Sequence, residues 1–450
     1  MLCTIEIFNE GVWQECCTVT AGHPERGGTS SAWMEYDMGY VFGAPNPASL
    51  RFPVNSDVLR LSTWPSFLFD LIPQGKGRQH LVSVLGIKEG PGADWPLLRA
   101  GAFNPIGRLR VKEAVDFYNG HVANNDPGLL GMGFTREAIL ERQETFIEYL
   151  HMHAMLSSGT SGVQGVAPKF LLTLGKDGLY YADGAIDDAK AAVHYLVKMP
   201  RGRDPSDLRI LQNEAAYIRV AHRMGVVAEK PPELVGDMLF VRRFDRVVTS
   251  KGVERLHQES VASLVGQIGY DNVPTQNEAL VALRKHATDP LATTIEYLKR
   301  DVLNLALGNT DNHARNTAMQ VTAKGIHLTP LFDFAPMFLD KEGIARALRW
   351  RTPDKKELKD WGAIIDHLEQ SIGADDACYC RAALFAFSLF VEKLQEIMKT
   401  EGVDERLIEN RHYAIEEQVK QLRSLGAPTR AKDSQPGSPP LNDLSSHGPA

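Results

Sequence analysis

Cysteine is scarce in this chain and never arranged as paired ligands. Five occur among 450 residues, Cys3, Cys16, Cys17, Cys378 and Cys380, and none stands in a C-x-x-C spacing. That argues against a stapled secreted scaffold and against structural zinc, and makes a reducing, cytoplasmic setting the expectation. No apolar run reaches 18 residues, and the first residues lack a basic stretch leading into an apolar one, so neither a membrane span nor a leader is expected. Positive charge is not in excess either. The formal net charge is -7 and the pI about 6.1, which leaves no footprint for direct binding of nucleic acid or of an anionic membrane. No internal repeat is visible. What remains, 43% hydrophobic and 23% charged residues, is ordinary globular composition with length enough for two or three packed units.

The pattern along the chain changes texture three times. Residues 1–115 read as a small mixed unit, with IEIFNEG and GYVFG as short strands and FLFDLIPQG as a turn leading to a helix that ends at LVSVLG. NPIGRLRVKE reads as its last strand. From 116 to 250, FTREAILERQETFIEYLHMHAML predicts one long helix over 134–156 with Thr135 as N-cap and Phe146, Tyr149 and Leu150 as its packed stripe. A glycine-rich loop follows, then FLLTL and a second strand joined at Lys176-Asp177-Gly178, then HYLVKMP, a strand ending in Lys198. NEAAYIRVAHRMG supplies a helix stopped near Gly225, and MLFVRRFDR another strand. Residues 251–424 read as mostly helical, from QESVASLVGQIG through DKKELKDWGAIIDHLEQ to ERLIENRHYAIEEQVKQLRSLG. The tail 425–450, rich in proline, serine and glycine, is expected to be disordered. The fold class implied is α+β: a small β-rich lobe and a larger helical lobe with a crevice between them, preceded by a small mixed subdomain.

The densest polar segment follows the greasy stretch around Leu303–Leu307. In GNTDNHARN, Asp311 and Asn316 stand five positions apart, and Asp333 follows in LTPLFDF. Short carboxylate and amide stems suit magnesium, which demands hard oxygen ligands in tight geometry, and a carboxylate left off the metal can take a proton from a hydroxyl. That division of work matches the protein-kinase arrangement. The same residues equally read as helix caps. Order along the chain favours chemistry: Lys198 at a strand end, Glu214 on the next helix as its partner, then the Asp/Asn/Asp set. The loop with Gly159, Gly162 and Gly165 allows close backbone approach to phosphates, or serves simply as a linker.

Taken together, SGVQGVAPK, LVKMP, NEAAYIRVAHRMG, RRFDR, HQES, GNTDNHARN and LTPLFDFAP resemble the HipA family of serine/threonine kinases, toxins of bacterial toxin–antitoxin modules. The resemblance runs from about residue 60 to about 395 and implies a bilobed, protein-kinase-like fold and transfer of the γ-phosphoryl of Mg2+-ATP to a protein hydroxyl, with autophosphorylation. It implies Asp311 as catalytic base, Asn316 and Asp333 as magnesium ligands and Lys198 as the phosphate lysine. Glu214, Gly162, Val163, Gln164, Phe244 and His313 become nucleotide-side residues. Gln258 and Glu259 fall where the family has Q-E-D, with a structural role. Ser161 becomes the candidate autophosphorylation site. Implied partners are a protein substrate and a separate small DNA-binding antitoxin. Two departures stand out: Arg242 occupies a position that is glutamate in the usual E-R-F-D-R, and extra residues precede Lys169. A kinase of small molecules and a pseudokinase scaffold are the rival readings.

Overall fold

The computed structural model describes residues 1–43, 46–124, 131–153, 169–202, 204–250, 252–270 and 272–426. The predicted loop serine Ser161, the loop residues Gly162, Val163 and Gln164, and nearly all of the predicted tail lie outside these. The described chain is α+β, with its sheets gathered mainly in the first 260 residues and helices dominating the rest.

The first sheet is antiparallel and has the order β4-β3-β2-β1-β5, from β1 Leu2–Asn9, β2 Val12–Ala21, β3 Ala32–Tyr36, β4 Leu59–Leu61 and β5 Leu109–Val111. Alternation does the work: Cys3, Ile5 and Ile7 of β1 all turn inward. A second antiparallel sheet, order β7-β6-β8-β10-β9, is built from β6 Lys169–Gly175, β7 Tyr180–Ala182, β8 Ala191–Lys198, β9 Glu233–Val235 and β10 Met238–Arg242. A hairpin, β11 Arg246–Thr249 with β12 Gly252–Arg255, leads to a third sheet in which β13 His257–Ser260 pairs with β14 Ala318–Thr322 and that with β15 Gly325–Leu328.

Two hydrophobic cores result. One joins the first and second sheets, with Trp64, Trp95, Phe170 and Phe240 fully buried; the other lies among the helices after residue 215, around Leu303, Trp350, Trp361 and Leu384. The helix Pro205–Arg223 enters the second core and forms a small third cluster against the second sheet. Asp204 caps its first turn, Leu211 and Ala215 pack on Leu239 of the second sheet, and Tyr217, Ile218 and Val220 enter the helical core. All five cysteines are free thiols. Among the described residues no helix is long and apolar enough to cross a membrane.

Three local expectations are corrected. GYVFG lies in the short helix Met38–Gly43, because the Asp37 carboxylate accepts from Tyr40 N at 3.0 Å and starts a helical turn there. The long helix breaks into Arg136–Leu140 and Glu144–Met152. Arg142 adopts a left-handed backbone (φ 50), and Gln143 N donates back to Ala138 O, a helix stop made by an arginine where glycine would be the legible signal. Thr135 does cap the first piece, accepting from Ala138 N, and Phe146, Tyr149 and Leu150 are buried. In the helical half, HQES is strand β13, and DKKELKD is a turn closed by Thr352 and Lys356; the helix starts only at Trp361, capped by Asp360.

Candidate active site

Strand register puts two ammonium groups side by side. Lys198 of β8 lies directly across from Lys169 of β6 and, on its other side, from Leu239 of β10. Like charges opposed across strands repel, and both lysines are buried. An anion between them resolves the conflict: Asp333 Oδ1 accepts from Lys198 Nζ at 2.6 Å, and Oδ2 lies 3.7 Å from Lys169 Nζ. Glu214, carried by the helix Pro205–Arg223, accepts from Lys198 at 2.5 Å. Burial would lower Lys198, but Asp333 and Glu214 outweigh it and raise its pKa, whereas burial dominates at Lys169 and lowers it. Burial likewise would raise Asp333, yet the two ammoniums hold it below the ordinary carboxylate range. Asp333 sits in left-handed backbone with φ 53, a conformation that Asp tolerates better than most residues.

These four side chains form the wall shared by two cavities. The larger, about 120 Å³, extends over the apolar face of the second sheet, past Leu196 and Val241, to Phe244 and Phe332, whose rings stand 5.8 Å apart. Asn316 lines it. The Asn316 Nδ2 donates to Asp311 O at 2.8 Å, and among the described residues its Oδ1 accepts nothing. The smaller cavity, about 70 Å³, lies on the far side of Lys198 and Asp333 and is lined by Asp311, Arg201 and Asp340. Burial, then repulsion from Asp333, pushes Asp311 up to about 7. His313 stands beside it, Nε2 at 3.5 Å from Asp311 Oδ1. Its Nδ1 accepts from Arg315 N, so the neutral ring carries its proton on Nε2, and burial lowers its pKa to about 4.

The segment is launched and held from afar. The helix Pro290–Leu307 ends at Gly308 with φ 74, where a Cβ would come within 2.6 Å of Phe338. Arg411, on the helix Glu405–Ser424, closes that end by donating to Ala306 O at 2.9 Å and Leu305 O at 2.6 Å.

At the opposite end of the larger cavity a second ionic cluster ties β10 to the first sheet's unit. Arg243 donates to both oxygens of Asp245, at 3.0 and 2.7 Å, and to Asp183. Asp183 also takes Thr173 Oγ1 at 2.6 Å and Asn104 Nδ2 at 2.9 Å, and Asp245 takes Gly107 N at 2.8 Å. Burial would raise both carboxyls, but the guanidiniums prevail, holding Asp245 down to about 2 and Asp183 well below its ordinary value. Glu259 makes another tie, accepting from Ser49, Leu50 and Ser263.

Of the residues singled out in the sequence, Lys198, Glu214, Arg242, Phe244, Gln258, Asn316 and Asp333 line the larger cavity, and Asp311 the smaller. Arg242 lies across from Tyr195, out of step with the Lys198–Leu196–Val241 face; alternation turns its side chain to the Tyr195 side, where it lowers the tyrosine's pKa against the burial that raises it. The residue nevertheless borders the larger cavity, so the departure from glutamate falls at its wall. Lys169, Phe332, Asp70 and Arg315 went unassigned in sequence. Only for Lys169, the lysine closing SGVQGVAPK, was there a local sign.

Among the described residues no three His, Cys, Asp or Glu side chains come together as a metal cage. The donors present are the Asp333 carboxylate and the free Asn316 Oδ1, two hard oxygens. That set fits magnesium, which keeps waters and substrate phosphates in its shell and asks the protein for only one or two ligands.

A family model described as the HipA-like C-terminal domain matches residues 161–397. A putative kinase, Y4mE, of Sinorhizobium fredii (strain NBRC 101917 / NGR234) is 24% identical over 300 residues, 64% of this chain and 67% of that protein. Among solved structures, HipA of the Shewanella oneidensis MR-1 toxin–antitoxin system, in complex with HipB and its operator DNA, aligns over 94% of this chain and 96% of its own with TM-score 0.59 at 17% identity. The Helicobacter pylori proinflammatory kinase CtkA aligns over 52% of this chain and 89% of its own, with TM-score 0.35 at 16% identity.

Proposed function

Because the chain belongs to the HipA family, we propose that it is an ATP-dependent serine/threonine protein kinase whose second sheet and helical half are the two lobes around a nucleotide. The observation that carries this reading is the junction of the two cavities: Lys198, Lys169, Glu214 and Asp333 form their common wall, with Asn316 on one side and Asp311 on the other. The adenine lies over Leu196 and Val241 near the Phe244–Phe332 pair, at the end distant from the lysines. Both ammonium groups take the phosphates, relieving the repulsion that Asp333 and Glu214 now offset. Asp333 and Asn316 Oδ1 would hold magnesium, which when bound would neutralise charge developing on the phosphates.

The acceptor hydroxyl enters through the smaller cavity. Asp311 orients it and receives its proton as the hydroxyl oxygen bonds to the γ-phosphorus and the bond to the β–γ bridging oxygen breaks, releasing ADP. His313 Nε2 stands 3.5 Å from Asp311 Oδ1 without a hydrogen bond to it, near enough to donate to the carboxylate once substrate draws the two together. Little covalent chemistry is asked of the protein; positioning and charge supply the rate. Ser161, outside the described residues, is the proposed autophosphorylation site, where phosphorylation would add about two negative charges beside the proposed nucleotide site. The proposed partner is a separate small DNA-binding antitoxin.

The test is transfer from γ-labelled ATP in cell lysate, followed by phosphopeptide mapping, with Asp311→Asn as control. Label on protein serine or threonine that disappears in the variant is the expected result. Label confined to small molecules, or equal labelling with Asp311→Asn, would overturn the reading.

A further inference from the structure

The segment carrying Asn316 is gripped by a part of the chain that the family match does not include. Asp70, in the short helix Leu68–Leu71 of the first unit, is partly buried in the wall of the larger cavity. Its two oxygens take the two donors of one residue: Oδ2 accepts from Ser260 N at 2.9 Å, and Oδ1 from Ser260 Oγ at 2.7 Å. Ser260 also caps the helix Val261–Val265, and the next two backbone donors, Val261 N and Ala262 N, reach Thr317 O at 2.8 Å and Ala314 O at 3.1 Å. Those two carbonyls bracket Arg315 and Asn316. Arg315 closes the loop from the other side. Its Nε lies 4.0 Å from Asp70 Oδ1, buried and without a hydrogen bond. Its guanidinium lies 4.5 Å from the Tyr270 ring centroid and donates to Gly269 O. Tyr270 in turn is held by two neighbours of Asp70: Phe69, edge-on at 6.3 Å, and Gln74, which donates to its hydroxyl.

A hydrophobic joint would suffice to hold two units together. Here a partly buried carboxylate instead fixes Ser260, whose next two backbone donors hold the chain around Asn316, and faces a buried guanidinium, and a charge drawn out of water costs too much to keep without partners in defined places. We propose that Asp70 is a positioning residue of the phosphoryl-transfer site, acting through Ser260 and Arg315 to hold Asn316 where its oxygen meets the metal. The proposal rests on the kinase reading above. It makes the first unit a working part of the site.

The full chain is compared with Asp70→Asn, Arg315→Lys and their combination. For Asp70→Asn the magnesium concentration giving half-maximal transfer rises about tenfold and kcat falls by about 10- to 100-fold, the usual cost of losing an outer-shell support. KM for the nucleotide at saturating metal stays within about twofold, since the base and phosphate contacts are untouched. Mn2+ binding in the presence of ADP, followed by electron paramagnetic resonance, weakens in parallel without any turnover being needed. Arg315→Lys moves both readouts the same way, and the double variant is no worse than the poorer single one. Unchanged metal dependence in folded Asp70→Asn, or losses that only follow a fall in melting temperature, would overturn the proposal. Should Asp70→Asn not fold, Ser260→Ala carries the same expectation and the same refutation. A wild-type chain that neither binds Mn2+ with ADP nor transfers phosphate would defeat the kinase reading instead, so the two failures are distinguishable.

Discussion

Two buried ionic clusters close the ends of the larger cavity, and they are built to different standards. At the Arg243 end the charges balance and the carboxylates are saturated: Asp245 takes donors from Arg243, Arg246 and Gly107, and Asp183 from Arg243, Thr173 and Asn104, with the His194 Nδ1 2.6 Å away. At the Lys198 end the accounts are left open. Two ammoniums face each other, one oxygen of Asp333 lies beyond hydrogen-bond reach of Lys169, and the Asn316 oxygen is idle. The Arg243 end has unmet donors of its own, since Arg246 Nε and His194 Nε2 are buried without a hydrogen bond. What sets the Lys198 end apart is the pairing of two opposed ammoniums with oxygens of Asp333 and Asn316 that can still accept a donor or a cation, the gap that phosphates and magnesium would fill under the proposed reading.

The comparison can be broken most forcefully at Asp311. Asp311→Asn should lower phosphate transfer by about 10³-fold, in the range for loss of a general base, while leaving nucleotide affinity and melting temperature near wild type. Arg243→Ala should do the reverse. Removing it leaves Asp183 and Asp245 short of their counter-charge, for a loss of about 3–5 kcal/mol in denaturant unfolding, with transfer per folded molecule largely kept. If the two variants trade these phenotypes, the distinction between the clusters is wrong.

Asp333→Ala should weaken magnesium–nucleotide binding by about 2 kcal/mol, roughly 30-fold by calorimetry. Metal-free nucleotide should lose less, because both lysines are then released toward the phosphates. The smallest effect is a matter of pH. The folded pKa of Asp245 lies near 2, below its ordinary 3.8, so its contribution is complete above about pH 4 and drains away as the pH falls toward 2. It amounts to about 2 kcal/mol, and Asp183 is shifted in the same direction. Melting curves from pH 5 down to 2 should therefore fall more steeply for wild type than for Asp245→Asn. Equal slopes would mean that this carboxylate is not held by its guanidiniums.

Sequence made some of this plain and hid the rest for definite reasons. Asp311, Asn316 and Asp333 could be read because a polar segment directly after an apolar helix is a local signal, and Lys198 because a strand-end lysine followed by a helix-borne glutamate is an ordered one. Lys169 became visible as a functional group only once β6 and β8 were in register. Phe332 was hidden beside its more eloquent neighbour. Asp70 was beyond reach, since its importance depends on Ser260, 190 residues away. Arg242 was conspicuous in sequence as a charge reversal, and it does border the larger cavity, although strand alternation sets it out of step with Leu196 and Val241. The break at Arg142 was equally illegible, because the residue that stops the helix is not one whose chemistry announces a stop.

The capping of Leu305 and Ala306 by Arg411 carries a consequence for biosynthesis. The segment after Gly308 borrows supports from either side of it in the chain, Asp70 well before and Arg411 well after. A ribosome that has delivered everything through Asp333 has still not supplied the clamp for the helix that leads into Asp311. Vectorial synthesis thereby sets a delay: the proposed site is not held in place until the helix Glu405–Ser424 has emerged and docked.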